Sequence, residues 1–130
     1  MGRNTLASVS LACAGVIAGA AHAGGDASRG GELYLARCGA CHSIEENGAG
    51  PRHVGLFGRR AGSQPLYDYS SSLRTSRIVW SRETLSQWLA NPNLLVPGNK
   101  MVVQLANDPK DRADLIEYLL LATKEQRSIN

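Results

Sequence analysis

The segment Cys38-Gly-Ala-Cys41-His42 places two thiols and an imidazole within five consecutive residues. Two cysteines three positions apart, followed at once by a histidine, are compatible with several kinds of site. A zinc site usually takes four ligands from two paired motifs. A disulfide or redox-active dithiol of the thioredoxin type needs a βαβ setting. Neither context is visible around this motif, which leaves attachment of a larger group through both sulfurs.

The order C-x-x-C-H is typical of covalent attachment of a c-type haem. Cysteines at positions i and i+3 of a helical turn present their sulfurs to one side. Their separation is about that of the two vinyl groups on neighbouring edges of the haem ring. The adjacent histidine then directs an imidazole nitrogen at the iron. The sequence therefore predicts one covalent haem c, held by Cys38 and Cys41, with His42 as an iron ligand.

Few residues can supply the second axial ligand. Beyond residue 23 the chain has one methionine, Met101, and one histidine outside the motif, His53. Met101 follows a Pro-Gly turn in the loop VPGNKMVV, a position that does not suit a generic core residue. A His/Met pair raises the reduction potential of haem, which suits an electron carrier. We therefore expect Met101 to bind the iron, and His53 to be exposed to solvent.

The first 23 residues have the composition of a segment that directs export. Arg3 is the only charged residue among them, residues 5–21 are small and apolar, and Ala21-His22-Ala23 is a small-x-small cleavage site. The apolar run is short for a membrane span of about 20 strongly apolar residues. We therefore expect a secretory signal peptide over 1–23 and one folded domain over 24–130. Export agrees with the motif, because bacteria join haem to thiols outside the cytoplasm.

Composition limits the remaining function classes. A chain of 130 residues is long enough for one domain. Its formal net charge of +3 is too weak a bias to indicate nucleic-acid binding. Aromatic residues make up 5% of the chain, which is few for a core of this size. A bound group is therefore expected to fill the middle of the domain.

The predicted elements that would position these groups are short helices joined by long loops, with no convincing strand pair. The expected helices are one from Asp26 to about Cys41, one from Ser70 through Thr75, one from Ser81 to Asn91-Pro92, and one that begins at Asp108-Pro109. The segments 46–64 and 92–104 are rich in glycine and proline and are predicted to be loops. The predicted class is all-α. Along the last helix, three acidic residues are expected to form a solvated face: Asp111, Asp114 and Glu117.

The whole pattern resembles a class I cytochrome c, of the short kind close to mitochondrial and bacterial respiratory carriers. Five segments follow one another in the order typical of that family, namely CGACH, GAGPRHVGLFGRRAG, YDYSSSLRTSRIVW, ETLSQWLANPNLLVPGNKM and DRADLIEYLLLAT. They cover nearly all of 24–130, which the resemblance makes a cytochrome c domain. The resemblance implies the class I cytochrome c fold, in which short helices and long loops wrap around one covalently bound haem.

The resemblance also implies a role for each matching residue. Cys38 and Cys41 would hold the haem through thioethers, and His42 and Met101 would be the axial ligands of its iron. The carbonyl of Pro51 would accept a hydrogen bond from the other ring nitrogen of His42. Three residues would contact the haem propionates: Arg59, Tyr69 and Trp80. Four would form the crossing of the first and last helices: Gly30, Tyr34, Leu115 and Tyr118.

The function implied is that of a soluble one-electron carrier, not an enzyme, in the periplasm of a Gram-negative bacterium. The expected partners are membrane redox complexes, met transiently by a monomer: a quinol–cytochrome c oxidoreductase, a cytochrome oxidase or a reaction centre. A periplasmic dehydrogenase is a further expected donor. Two alternatives remain. An open sixth position would make the protein a haem enzyme or gas-ligand sensor, and stable association would make it a dedicated subunit of one oxidoreductase complex.

Overall fold

The computed structural model describes residues 1–2, 24–103 and 106–124, so almost all of the predicted signal peptide, with its cleavage site, lies outside the described residues. Within the described ranges the chain forms five helices and one isolated antiparallel bridge, between Arg60 and Val79. The helices are α1 (Ala27–Arg37), α2 (Ser71–Thr75), α3 (Arg82–Ala90), α4 (Pro92–Leu95) and α5 (Pro109–Ala122). The predicted all-α class is confirmed. None of these helices is long and apolar enough to span a membrane.

Side-chain caps explain where four of the helices begin. In each case a side-chain oxygen just before the helix accepts hydrogen bonds from first-turn N–H groups: Asp26 for α1, Ser70 for α2, Ser81 for α3 and Asp108 for α5. A cap of this kind stabilises a helix by about 1 kcal/mol. All four starts were predicted from the sequence and are confirmed, because the interaction is local and each cap residue is recognisable by its type.

Two boundaries differ from the prediction. Helix α1 ends at Arg37 rather than near Cys41, and the motif that follows forms a single turn instead of a further stretch of helix. The second difference is α4, which interrupts the predicted loop over 92–104. The side chain of Asn91 accepts a hydrogen bond from the N–H of Leu94 at 3.1 Å and so caps this four-residue helix. One helical turn is too short for an apolar repeat to reveal it.

Helices α1 and α5 cross at Gly30. A Cβ atom on this residue would overlap the carbonyl oxygen of Asp114, so the two backbones approach as closely as glycine allows. Beside the contact, the rings of Tyr34 and Tyr118 pack with their centroids 5.2 Å apart, and Leu115 is fully buried. The predicted helix crossing is confirmed, and it explains a glycine in a helix interior, where it costs about 1 kcal/mol relative to alanine.

The predicted solvated acidic face of α5 is wrong for two of its three residues. Asp111 is 7% exposed and Asp114 is 1% exposed. Arg29 of α1 donates to both carboxylates, Arg37 donates to Asp111 at 2.7 Å, and Lys110 donates to Asp114 at 2.8 Å. The two acids therefore lie between the helices, where Lys110 of α5 and two arginines of α1 compensate their charges; the pattern of α5 alone does not reveal Arg29 and Arg37.

These hydrogen bonds favour the ionised carboxylates. The hydrogen bond from Arg29 is the largest cause of the lowered pKa of Asp111. For Asp114 the largest cause of the lowered pKa is the hydrogen bond from Lys110, followed by that from the backbone N–H of Asp26, which is 2.7 Å from the carboxylate. Glu117, the third acid, is partly exposed and pairs with Arg82 at 2.9 Å.

Candidate haem-binding site

A cavity of about 380 Å³ lies between the helices and the long loops. Its volume falls in the range of small-molecule and cofactor sites, about 300–1,000 Å³. The wall is largely apolar, and it contains all eight predicted site residues: Cys38, Cys41, His42, Pro51, Arg59, Tyr69, Trp80 and Met101. The structure thus brings together residues that are as much as 63 positions apart in the sequence. The contacts that each makes with haem stay a prediction.

The two thiols lie on one turn at the end of α1. The backbone carbonyl of Cys38 accepts hydrogen bonds from the N–H groups of Cys41 at 3.0 Å and His42 at 2.8 Å. The sulfurs are not bonded to each other. Burial raises the pKa of the Cys38 thiol to about 11, whereas a redox-active dithiol depends on a lowered thiol pKa. The turn therefore suits attachment of a group better than thiol–disulfide exchange.

The imidazole of His42 is held with one nitrogen occupied. Its Nδ1 lies 2.8 Å from the carbonyl oxygen of Pro51. Because a carbonyl can only accept, Nδ1 carries the proton and donates, which leaves a lone pair on Nε2 for a metal. Burial lowers the pKa of His42, and the hydrogen bond to Pro51 opposes that effect. The ring is therefore favoured in the neutral form that a metal ligand requires.

The expectation that His53 is exposed is wrong. It is partly buried on the cavity wall, and its ring stacks on that of His42 with centroids 4.4 Å apart and an interplanar angle of 21°. Its Nδ1 lies 3.0 Å from the hydroxyl of Tyr34. Burial is the largest cause that lowers the pKa of His53 to about 3, with the charges of His42 and Arg59 adding to it. His53 is therefore neutral at neutral pH.

Arg59 presents a fixed positive charge at the cavity wall. Its guanidinium donates to the carbonyl of Val54 at 2.6 Å and to the buried side-chain amide oxygen of Gln64. The backbone N–H of Trp80 donates to the carbonyl of Arg59 at 3.0 Å, beside the bridge between Arg60 and Val79. Arg59 and Trp80 are therefore held next to each other. Tyr69, the third predicted propionate contact, is buried on the same wall.

The loop of Met101 is fixed by a buried asparagine. The side-chain oxygen of Asn99 accepts a hydrogen bond from the N–H of Met101 at 2.7 Å, and its amide group donates to the carbonyl of Val96 at 2.9 Å. Asn99 itself is buried. This arrangement sets the backbone from which the methionine thioether enters the cavity, although the loop has no regular secondary structure.

Comparison with known proteins decides the family. The family model described as cytochrome c matches residues 27–122. The cytochrome c of Gibberella zeae is 41% identical over 105 residues, which cover 78% of this chain and 99% of that protein. The cytochrome c of Arabidopsis thaliana is 42% identical over 103 residues, which cover 77% of this chain and 92% of that protein. This chain belongs to the cytochrome c family.

A solved cytochrome agrees with this assignment. Cytochrome cH from Methylobacterium extorquens superimposes with a TM-score of 0.71 and is 43% identical, over 75% of this chain and 99% of that one. The fold is that of a class I cytochrome c. Cytochromes c are electron carriers, and the cofactor of the family is one covalently bound haem c with its iron.

The cavity of this cytochrome c fits that cofactor. Two unpaired thiols on one turn, an imidazole with its Nε2 lone pair free, and a thioether all line a largely apolar space. Gly50 adds to the fit. A Cβ at this position would lie 2.6 Å from each ring nitrogen of His42, so the ring occupies space that only glycine leaves open.

Sequence reasoning missed two asparagines that hold the loops of this cytochrome c. No role was predicted for Asn99, whose side-chain oxygen accepts the hydrogen bond from the N–H of Met101. Asn47 accepts a hydrogen bond from the N–H of Arg52 at 2.9 Å and donates to the carbonyls of Pro65 and Leu66, each at 3.3 Å. Neither role leaves a signal in the sequence, because the partners of Asn47 lie across two irregular loops.

Proposed function

We propose that this cytochrome c is a diffusing one-electron carrier of the bacterial periplasm, with its haem held by Cys38, Cys41, His42 and Met101. One observation carries the proposal. His42 donates through Nδ1 to Pro51, which leaves Nε2 available on the wall of the cavity that both cysteines and Met101 also line. A His/Met pair raises the potential of haem iron relative to many other ligand sets, which suits a carrier.

The residues of the chain divide the work of holding the cofactor. Thioethers from Cys38 and Cys41 would tether it, while His42 and Met101 would bind its iron from two sides. When bound, haem c supplies an iron that accepts and releases one electron. The hydrogen bonds from His42 to Pro51 and from Met101 to Asn99 hold both ligand-bearing segments in place. Ligands fixed in this way need little rearrangement when the charge of the site changes.

Arg59 would receive the acidic side chains of the haem. A guanidinium at the wall of an apolar cavity is suited to carboxylate recognition, because charge-assisted hydrogen bonds are about twice as strong as neutral ones. Its own hydrogen bonds to Val54 and Gln64 fix its position before the cofactor arrives. Tyr69 and Trp80, on the same wall, would complete the propionate contacts.

The proposed partners are membrane redox complexes and periplasmic dehydrogenases. A quinol–cytochrome c oxidoreductase or a dehydrogenase would supply the electron, and a cytochrome oxidase or reaction centre would accept it. Exposed residues of the cavity wall, Lys100, Val102 and Val103, show where the cavity reaches the surface. Interfaces between an electron carrier and its partners are small and weak, which permits rapid release of the carrier after electron transfer.

The periplasmic location depends on cleavage of the predicted signal peptide after Ala23. Its support is the sequence pattern, together with the position of the next residues. A Cβ on Gly25 would overlap the carbonyl of Ala113, so the chain already packs on α5 two residues after the proposed cleavage site. The mass of the exported protein tests this directly, since a chain that begins at Gly24 is expected and retention of residues 1–23 would refute it.

The ligand set can be tested on protein exported in a bacterium that attaches haem c. We expect covalent haem, a far-red sulfur-to-ferric-iron absorption band, and a reversible one-electron titration. Met101→Ala should abolish that band and lower the potential, whereas the neighbouring Val102→Ala should leave the band intact. Colourless protein with two free thiols would refute haem attachment. A high-spin spectrum without the far-red band would favour the gas-ligand sensor or enzyme, and co-purification with one catalytic partner would favour a dedicated subunit.

A further inference from the structure

His53 is a ring on the cavity wall to which the proposed function assigns no role. It stacks on His42 at a centroid distance of 4.4 Å and an interplanar angle of 21°, so the planes of the two imidazoles are nearly parallel. A single hydrogen bond, from Nδ1 of His42 to Pro51, fixes one point of the ligand ring. Gly50 lies close against the ring as well, but it has no side chain that could restrain the tilt of the ring plane. A second ring packed on its face restricts that remaining motion.

The orientation of His53 is itself fixed from the first helix. Its Nδ1 lies 3.0 Å from the hydroxyl of Tyr34, and the two rings meet edge to face with centroids 5.7 Å apart. Tyr34 is buried in α1 and packs on Tyr118 of α5. A continuous series of contacts therefore runs from the helix crossing through Tyr34 and His53 to the face of His42.

We propose that His53 is a positioning residue, whose ring, anchored by Tyr34, sets the plane of the His42 imidazole. The inference rests on the proposed function, because it takes His42 as an iron ligand. The plane of an imidazole ligand determines which iron orbitals its π system overlaps. Residues that contact the ligand but not the metal fix its orientation, and through it they influence the properties of the metal site. An aliphatic residue could fill the same space, but it would not restrain a plane.

Three variants separate the parts of this arrangement. His53→Leu fills the space with an apolar side chain but removes both the planar ring and the hydrogen bond. His53→Phe keeps a planar ring and loses the hydrogen bond. Tyr34→Phe removes the anchoring hydroxyl and keeps the ring that packs on Tyr118. A matched control is Phe57→Leu, in the same loop and partly buried, because Phe57 is not among the residues that line the cavity.

The readout is the electron paramagnetic resonance spectrum of the ferric protein, together with its reduction potential and thermal midpoint. We expect His53→Leu to shift and broaden the g values and to move the potential. The changes should be smaller in His53→Phe, and Tyr34→Phe should mainly broaden the signals. Phe57→Leu should leave the g values unchanged even if it lowers the thermal midpoint, which separates positioning from general destabilisation.

The parent protein is measured first, so that two kinds of failure can be told apart. A parent without the low-spin signal and far-red band would refute the proposed ligand set, and with it this inference. A parent with both features, but with g values and linewidths identical in His53→Leu and Tyr34→Phe, would refute the positioning role alone. A shift equally large in Phe57→Leu would also overturn it, because the effect would then not be specific to the stacked ring.

Discussion

Gly50 lies against the imidazole ring of His42, with no space between them for a side chain. A Cβ built on Gly50 would be 2.6 Å from both ring nitrogens, well inside van der Waals contact. The neighbouring Pro51 supplies the carbonyl to which His42 donates. Two consecutive residues thus determine where the ring can lie and which of its nitrogens stays free.

Gly50→Ala should therefore displace the His42 ring and break its hydrogen bond to Pro51. We expect a large loss of haem-loaded protein, and in the remainder a loss of the low-spin spectrum, measured by the visible spectrum of protein exported by cells. Gly48→Ala is the matched control, because its Cβ would approach only the carbonyl of Cys41, at 3.3 Å. A normal yield of haem-loaded protein and a normal spectrum for Gly50→Ala would contradict the close contact between Gly50 and the His42 ring.

The helix crossing offers a second pair of glycines for comparison. Gly30→Ala should destabilise the protein by about 2–3 kcal/mol, because its Cβ would overlap the carbonyl of Asp114 and overpacking forces backbone shifts. Gly31→Ala should cost much less, because its Cβ would press on the ring of Tyr118 at 3.3 Å, which a small shift of that side chain relieves, while helix propensity improves by about 1 kcal/mol. Denaturant unfolding measures the stability of both variants. If Gly30→Ala and Gly31→Ala were equally stable, the backbones of α1 and α5 would not approach each other at Gly30 as closely as described.

The buried acids of α5 should make the protein sensitive to acid. The pKa values of Asp111 and Asp114 are lowered in the folded protein. Their contribution is therefore fully present above the ordinary aspartate pKa of about 3.9 and is lost as the pH falls through the lowered values. We expect the free energy of unfolding to be nearly constant from neutral pH down to about pH 5 and then to fall steeply.

Asp114→Asn tests the origin of that fall. It should destabilise the protein at pH 7 by about 1–2 kcal/mol, because charge-assisted hydrogen bonds from Arg29 and Lys110 are weakened while both bases stay partly exposed to water, and it should flatten the acid dependence. Glu32→Gln, an exposed position on α1, is the control and should change neither quantity by much. If Asp114→Asn kept the full acid dependence, the sensitivity would arise elsewhere in the protein.

Leu66 is a candidate for stabilisation by substitution. It is the one non-glycine residue with a positive φ, 60°, in the described part of the chain, and its side chain is 98% exposed. A left-handed conformation costs an L-residue about 1–2 kcal/mol, and glycine removes this strain. Glycine also increases the conformational entropy of the unfolded chain, which cancels part of the gain in stability. Leu66→Gly should therefore stabilise the protein by about 0.5–1 kcal/mol. Leu66→Ala, which keeps the strain, should change stability little, and the difference in thermal midpoint between the two measures the backbone effect.

The features that were predictable from the sequence are local ones. Asp26, Ser70, Ser81 and Asp108 cap helices through bonds to residues two or three positions away, so residue type and spacing suffice to locate them. The C-x-x-C-H motif is equally local, because one turn of backbone arranges its thiols and imidazole. Cys38, Cys41 and His42 were predicted from the motif and Met101 from the scarcity of other iron ligands, whereas the roles of Pro51, Arg59, Tyr69 and Trp80 were implied by the family resemblance alone.

The features that were missed depend on contacts between distant segments. Asp111 and Asp114 read as a solvated face because the sequence of α5 does not show that Arg29 and Arg37 approach from α1. His53 read as exposed because a glycine-rich loop gives no periodicity from which to infer burial. Tyr34, which forms a hydrogen bond with His53, lies 19 positions earlier, in α1. Only the packed structure brings such partners together.

The contact of Gly30 with Asp114 also bears on how the molecule assembles. It joins residues 84 positions apart, so α1 cannot pack on α5 until the long segment between them has been made and brought round. Contacts between such distant parts are slow to form because loop closure costs entropy before packing repays it. An exported chain in which α1 has not yet packed on α5 would leave Cys38 and Cys41 open to haem, so slow closure of this contact is compatible with attachment outside the cytoplasm.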